Sequence, residues 1–339
     1  MRRELKFRLA LLALGLIHLA VLGARVLAPF DPAEQHRDFP FAPPMRVHWV
    51  DAQGHFHLRP FVYALVYHPE SSAAVPYEVD DHQALPIRFF GAAAGDQGKP
   101  NRAATWRLLG VDPPHFLFLL GTDAYGRDVL SRLFYGAQIS LFAGLLAAVL
   151  SLGLGVLLGS VSGYFGRWVD GLIMRGSEVF MALPWIYLLF AARAFLPLHL
   201  GARQSFLLLV GVIGLTGWAR PSRLVRGVVL SAKHRDYALA ARGFGASDFY
   251  LLRRHILPEA WGVVLTQAAL LIPQYILAEV TLSFLGLGVS EPAPSLGNML
   301  ASLQKLYVLE SYWWMYAAGV LLIPIFLAYH LLADALQQG

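Results

Sequence analysis

The 26 residues from Ile139 to Tyr164 contain no charged side chain. A helix needs about 20 apolar residues to cross the hydrocarbon layer of a bilayer, so this run alone demands a membrane or a helix buried on every side. Other runs repeat the demand. Ser311–Ala333 gives 23 residues without Asp, Glu, Lys or Arg, and Ala260–Ala278 gives 19 before Glu279, after which the chain stays uncharged through Ser290. Gln204–Ala219 is a shorter clean stretch between Arg203 and Arg220, and Leu9–Ala24 continues past Arg25 to Phe30. Leu172–Leu196 is the weakest run, since it carries Arg175, Glu178 and Arg193. Six spans are expected. Composition agrees: 57% of the 339 residues are hydrophobic and 14% charged, against about 25% charged in soluble domains.

Orientation follows from the basic residues of short loops, which stay on the cytoplasmic side. The N-terminus is basic (Arg2, Arg3, Lys6, Arg8), Arg167 lies between the second and third spans, and Arg220, Arg223, Arg226, Lys233, Arg235, Arg242, Arg253 and Arg254 lie between the fourth and fifth. Both termini are therefore expected in the cytoplasm. Pro29 after Ala28 makes a poor cleavage site, so the first run is expected to remain as an anchor. The polar, proline-rich piece from Asp31 to Phe118 then lies outside, with seven of the twelve histidines. Arg46–Val50 and His55–Leu58 are expected strands around the turn Asp51-Ala52-Gln53-Gly54; Pro60–Tyr67 and Leu85–Phe90 add to them, and Gly91–Arg102 is expected to be a loop. The expected organisation is a tail and first helix (1–30), a small β-containing external insertion (31–118), and a five-helix core (119–339) with a cytoplasmic loop at 220–259.

The chemistry-bearing motifs exclude more than they offer. There is no Gly-x-x-x-x-Gly-Lys-Ser/Thr phosphate loop, no Gly-x-Ser-x-Gly and no His-Glu-x-x-His, so neither ATP hydrolysis, serine-type hydrolysis nor zinc peptidase chemistry is expected. The absence of cysteine removes disulfides and thiolate chemistry. No cofactor, metal or nucleic acid is expected, the basic residues being gathered beside apolar runs. In the cytoplasmic loop, Tyr237–Arg242 favours a helix, Gly243 and Gly245 permit a sharp turn, Ser247 or Asp248 caps a second short helix, and Pro258 opens the fifth span. This is a helix–turn–helix at the membrane surface. Its small residues suit close approach of a partner; a basic helix lying on anionic lipid is the competing reading.

The same loop resembles the "EAA" loop of ABC importer permeases. Ala240, Ala241, Gly245, Leu257 and Pro258 fall in register, Leu239 stands where the family has Glu, and His255-Ile256-Leu257-Pro258 has the form of the peptide subgroup. Gly121-Thr122-Asp123, Gly126-Arg127-Asp128 and Ser131-Arg132, followed by Gly136 and Ser140-Leu141, look like the segment before the second span of dipeptide and oligopeptide permeases of the "C" type. Leu282–Gly288, then Pro292, Pro294 and Gly297–Leu300, resemble the external loop after their fifth span, with Leu296 where a Trp is usual. The resemblance covers the first helix and about Phe118–Leu336. It implies an all-α polytopic fold of the ABC type I importer permease class in a bacterial inner membrane. It also implies a second permease subunit, two separate ATPase subunits and an external binding protein, with membrane lipid as solvent. Tyr237, Leu239, Ala240, Ala241, Gly243, Gly245, Ala246, His255, Leu257 and Pro258 would then form the loop that docks on the ATPase.

Single residues raise narrower questions. Glu279 near the outer end of the fifth span, with Ser283 four residues on, is a candidate for lining the path; pairing with a second permease or solvation at the outer rim are alternatives. Glu178 is expected to pair with Arg175 three residues earlier. His55 and His57 share a strand face near His48, but a solvated surface is favoured over a metal site. A nickel or other small-solute permease is the alternative substrate class. A gradient-driven transporter would show inverted repeats and interrupted helices in matching positions, and the sequence reads as having neither.

Overall fold

The computed structural model describes residues 2–68, 70, 73, 75–92, 106–195, 197 and 200–337. Most of the expected loop at Gly91–Arg102 lies outside them. The chain packs as two compact units: Met1–Leu14, Leu141–Leu282 and Pro324–Gly339 form one, Gly15–Ser140 and Ser283–Ile323 the other.

The first unit is helical. Its principal helices are α1 (Arg2–Leu22, continued in part by the second unit, as are the other long helices), α3 (Val129–Phe165), α4 (Arg167–Ala182), α5 (Trp185–Ala194), α6 (Ala202–Thr216), α7 (Ala219–Ala232), α8 (Asp236–Gly243), α9 (Asp248–Leu251), α10 (Leu257–Phe284) and α13 (Ala317–Gln337). A single turn, α2 (Ala24–Leu27), follows α1. Among the described residues four helices are long and apolar enough to cross a membrane, or up to six spans result if each of two bent pairs counts as one.

The bends correct the expectation of plain spans. The third span breaks between α4 and α5, which meet at 93°. Pro184 cannot continue the α4 hydrogen bonds and pushes Leu183 into extended backbone, ψ 136°. The fourth run ends at Thr216 and α7 departs from α6 at 44°. The fifth helix does not begin at Pro258. It runs from Asp248 to Phe284, and Leu252–Ile256 form a π turn just before the proline. That wider turn accommodates a residue with no N–H and a bulky ring.

Helix α7 packs on a stripe of small residues along α3. A Cβ at Gly155 would lie 2.5 Å from Pro221, one at Gly159 would collide with the Ser222 carbonyl, and one at Gly163 would lie 2.9 Å from the Arg226 carbonyl. Backbones that approach this closely exclude any larger side chain, which is how helices associate where lipid removes the hydrophobic drive. Val225, Val229 and Ala232 of α7 join Ile256 and Ala260 in a buried cluster. Asp170 of α4 accepts from Arg226, and Glu178 of α4 lies 3.7 Å from Arg223. Glu178 thus faces α7 and not the expected Arg175.

The second unit carries the β-structure. β1 (His48–Val50), β2 (Phe56–Tyr67) and β3 (Tyr77–Pro86) form an antiparallel sheet in the order β1-β2-β3, and β4 (Arg88–Ala92) pairs with β5 (Trp106–Gly110). The turn at Asp51–Gly54 is as expected. The runs at His55–Leu58 and Pro60–Tyr67 are one strand. Pro60 falls where the β1–β2 register is interrupted between His48–Phe61 and Val50–Phe56, the kind of place where a missing N–H is tolerated. The run Leu85–Phe90 divides at Ile87 between β3 and β4. Phe30, Ala42, Met45, Val62, Leu85, Leu117 and Phe118 make the core of this unit. The short helices α11 (Leu296–Ala301) and α12 (Leu306–Ser311) complete it.

Candidate functional site

In the second unit the segment Gly121–Arg132 folds around Asp123. Its Oδ1 accepts the backbone N–H groups of Tyr125 and Arg127, and its Oδ2 lies 2.7 Å from Arg127 Nε. Thr122 is fully buried, donating to the Phe39 carbonyl and accepting from the Ala42 N–H. Gly126 has φ +70°, and a Cβ there would collide with the His36 carbonyl oxygen. Only glycine meets both conditions. Asp128 accepts from the backbone and hydroxyl of Ser131 through Oδ2, while among the described residues its buried Oδ1 has no partner within ordinary hydrogen-bond geometry. Burial pushes its carboxyl up to about 7.

The partner of this segment is Glu291, which the sequence did not single out. Its carboxylate takes Arg127 at 2.6 Å and Arg132 at 3.0 Å. Arg132 is also 3.7 Å from Asp123. Two guanidiniums and two carboxylates thus balance in one group, buried except on the Glu291 side. A signal existed: Glu291 is the only charged residue between Glu279 and Lys305. Nearby, Ser295 and Asn298 cap α11 reciprocally, and the Ser140 hydroxyl accepts the Leu296 N–H.

Glu279 is fully buried and Ser283 is 2% exposed, its hydroxyl accepting the Val289 N–H. A carboxylate solvated at an outer rim does not describe Glu279. Among the described residues no group of three or more His, Asp or Glu side chains is placed to hold a metal ion. His55 and His57 instead approach Asp51, at 3.4 and 2.9 Å. The hydrogen bond to the His57 ring, and next the one from the His55 backbone N–H to Oδ1, hold the Asp51 carboxyl down to about 2.

In the first unit the cytoplasmic-type loop forms the expected pair of short helices. Helix α8 ends in a paired-bond turn: Gly245 N–H donates to the Arg242 carbonyl and Ala246 N–H to the Ala241 carbonyl, with Gly245 at φ +83°. This left-handed cap explains a glycine at this point. Gly243 lies inside the end of α8. Ser247, and not Asp248, caps α9 by accepting the Tyr250 N–H. The base of the hairpin is tied by Tyr237 and Arg235 to Glu259, and by Arg242 and Tyr164 to Asp248. The His255 ring stands 5.6 Å from that of Tyr250 and 6.2 Å from that of Tyr237. Leu257 is half-buried and Pro258 exposed. On the outer side Leu239 and Ala240 are exposed and Ala241 half-buried, while Phe244 is 93% and Phe249 72% exposed.

Several apolar helices, two broken pairs among them, with a small β insertion and an exposed apolar hairpin, define a polytopic membrane protein. Residues 155–339 match the family model described as binding-protein-dependent transport system inner membrane component. The chain is 37% identical over 228 residues to the dipeptide transport system permease protein DppC of Bacillus subtilis, covering 67% of this chain and 69% of that one. It is 37% identical over 239 residues to the oligopeptide transport system permease protein OppC of the same organism, covering 70% and 75%. This chain belongs to the family of inner-membrane permease components of binding-protein-dependent transport systems, and is a permease subunit of an ABC importer.

Proposed function

We propose that this permease conducts peptides and forms half of a path completed by a second permease subunit. An external binding protein delivers the solute, and two separate ATPase subunits supply the energy. The named dipeptide and oligopeptide relatives support the substrate class, and the missing phosphate loop supports hydrolysis on partners. Both termini lie in the cytoplasm and residues 31–118 outside.

One observation carries the coupling role. The α8–α9 hairpin presents Phe244, Phe249 and Leu239 to solvent while its base is pinned by ion pairs. Exposed apolar side chains on a fixed, projecting hairpin mark a docking surface, and here the partner is the ATPase. Phe244→Ser and Ala240→Trp test this by co-purification with the ATPases and by substrate-stimulated hydrolysis in reconstituted vesicles. Both variants are expected to lose the ATPase or its stimulation at least tenfold while still inserting in the membrane. Arg253→Gln, which changes charge beside the membrane without touching the hairpin tip, is expected to stay within twofold of wild type. Normal assembly and transport by both hairpin variants would overturn the assignment.

A further inference from the structure

Helix α7 carries arginines at positions 220, 223 and 226, one turn apart on a helix. Arg223 and Arg226 face carboxylates of α4, Glu178 and Asp170. Among the described residues Arg220 makes no ion pair. It lines a half-open cavity of about 160 Å³ built where both bent helix pairs break, closed on a third side by α10 next to Pro273. Interrupted helices at membrane depth are tolerated where they line a polar cavity, and such breaks are where transported solutes are held.

The cavity's polar groups divide into used and unused. Thr216 donates to the Val212 carbonyl of its own helix. Tyr275 is hydrogen-bonded to Ser151 at 2.8 Å. A Cβ on Gly217 would collide with the Tyr275 hydroxyl, so the wall between them is closed by contact. The Arg220 guanidinium and the Gln274 amide have no hydrogen-bond partner among the described residues, and both are exposed residues of the cavity lining. Trp185 supplies an aromatic wall, its ring 5.8 Å from that of Tyr275. Arg220 stands where the fourth apolar run gives way to the basic loop, and among the described residues no carboxylate balances it.

We infer that Arg220 and Gln274 form a subsite for the terminal carboxylate of the solute as it passes. A guanidinium and an amide are planar donors matched to a carboxylate, and the aromatic wall suits the apolar side chain beside it. The volume is below the roughly 300–1,000 Å³ of a complete ligand pocket, so the subsite takes one end of a peptide. The inference rests on the peptide reading given above.

The test uses the complete transporter in vesicles with its ATPases and binding protein, fed a tripeptide with a free C-terminal carboxylate or the same peptide as its C-terminal amide. The binding protein is common to every arm, so its own preference cancels between variants. Arg220→Gln is expected to lower import of the acid about tenfold, the loss typical of a charge-assisted hydrogen bond, and to leave the amide within twofold. Arg220→Lys is expected to retain at least a third of acid import, and Gln274→Leu to shift the acid-to-amide ratio in the same direction by a few-fold. An unchanged ratio in Arg220→Gln and Gln274→Leu, or an equal fall for both peptides, overturns the inference alone. If Arg220→Gln does not reach the membrane, the ratio in Gln274→Leu decides. Wild-type vesicles that import neither peptide, while coupling hydrolysis to another solute, overturn the peptide reading and this inference with it.

Discussion

Arg132 and Glu291, 159 residues apart in sequence, meet at 3.0 Å, and their burial is unequal: the Arg132 side chain is 3% exposed and that of Glu291 49%. The inequality makes the two halves of the pair respond differently to removal. Without Arg132, Glu291 still holds Arg127 and reaches water, and Asp123 keeps Arg127. Without the Glu291 charge, Arg132 is left buried with Asp123 at 3.7 Å, a partner already engaged. Stranding a buried charge costs about 3–5 kcal/mol; the half-exposed partner reduces this to about 1–3 kcal/mol. Glu291→Gln is therefore expected to lower the thermal unfolding temperature in detergent more than the volume-preserving Arg132→Met. The reverse order would show that packing of the arginine stem, and not charge balance, holds this region.

Asp128 gives a pH dependence with a definite sign. Its folded pKa is raised to about 7 from 3.8 by burial, so between these values the folded chain holds a proton that the unfolded chain has released. Stability then falls as pH rises through that window. The amide introduced by Asp128→Asn would keep an acceptor for Ser131 and place an uncharged group where Oδ1 is now unsatisfied. This substitution is expected to flatten the decline of unfolding temperature between pH 4 and 7 and to equal or exceed wild type at pH 7. A difference between wild type and Asp128→Asn that stays constant from pH 4 to 7 would refute the buried, protonated carboxyl.

The glycines of α3 supply a test with its own control. A Cβ at Gly159 would meet the Ser222 carbonyl, whereas one at Gly153 on the same helix would have nothing within 4 Å. Gly159→Leu is expected to separate α7 from α3 and abolish recoverable folded protein. Gly153→Leu adds apolar surface on an exposed face and is expected to be neutral. Equal tolerance of the two would mean that the close approach of α3 and α7 is not required.

Much of this architecture was open to inspection in the sequence because lipid is a severe solvent. An uncharged run such as Ile139–Tyr164 has few alternatives to a spanning helix, and the glycine at 245 announces a left-handed cap. What escaped inspection depends on partners distant in sequence. Glu178 pairs across to α7 because Arg223 comes within reach there, which the nearby Arg175 conceals. Pro258 reads as a helix start, since nothing local reveals that a π turn can absorb it inside a longer helix. Glu291 is inconspicuous ahead of Pro292 and Pro294, although a lone charge in a long neutral stretch needs a partner. The cavity at Arg220 forms only because two helix breaks and α10 converge, and no single segment encodes that.

The proposed orientation is testable because the chain contains no cysteine, so any single Cys reports its own position. Leu58 in β2 is 89% exposed and Phe244 at the tip of the α8–α9 hairpin 93%, so a thiol at either place is accessible once the reagent reaches that side. The basic loops around the hairpin favour the cytoplasm, and one pass through the membrane separates the insertion from the N-terminus. In intact cells producing the chain without its partners, Leu58→Cys is expected to react with a membrane-impermeant maleimide. Phe244→Cys is expected to react only after permeabilisation. Labelling of both from outside would place the hairpin on the wrong face for an ATPase and would remove the coupling role with it, because nucleotide is available only inside. Labelling of neither until the cells are opened would put the insertion in the cytoplasm, where an external binding protein could not meet it.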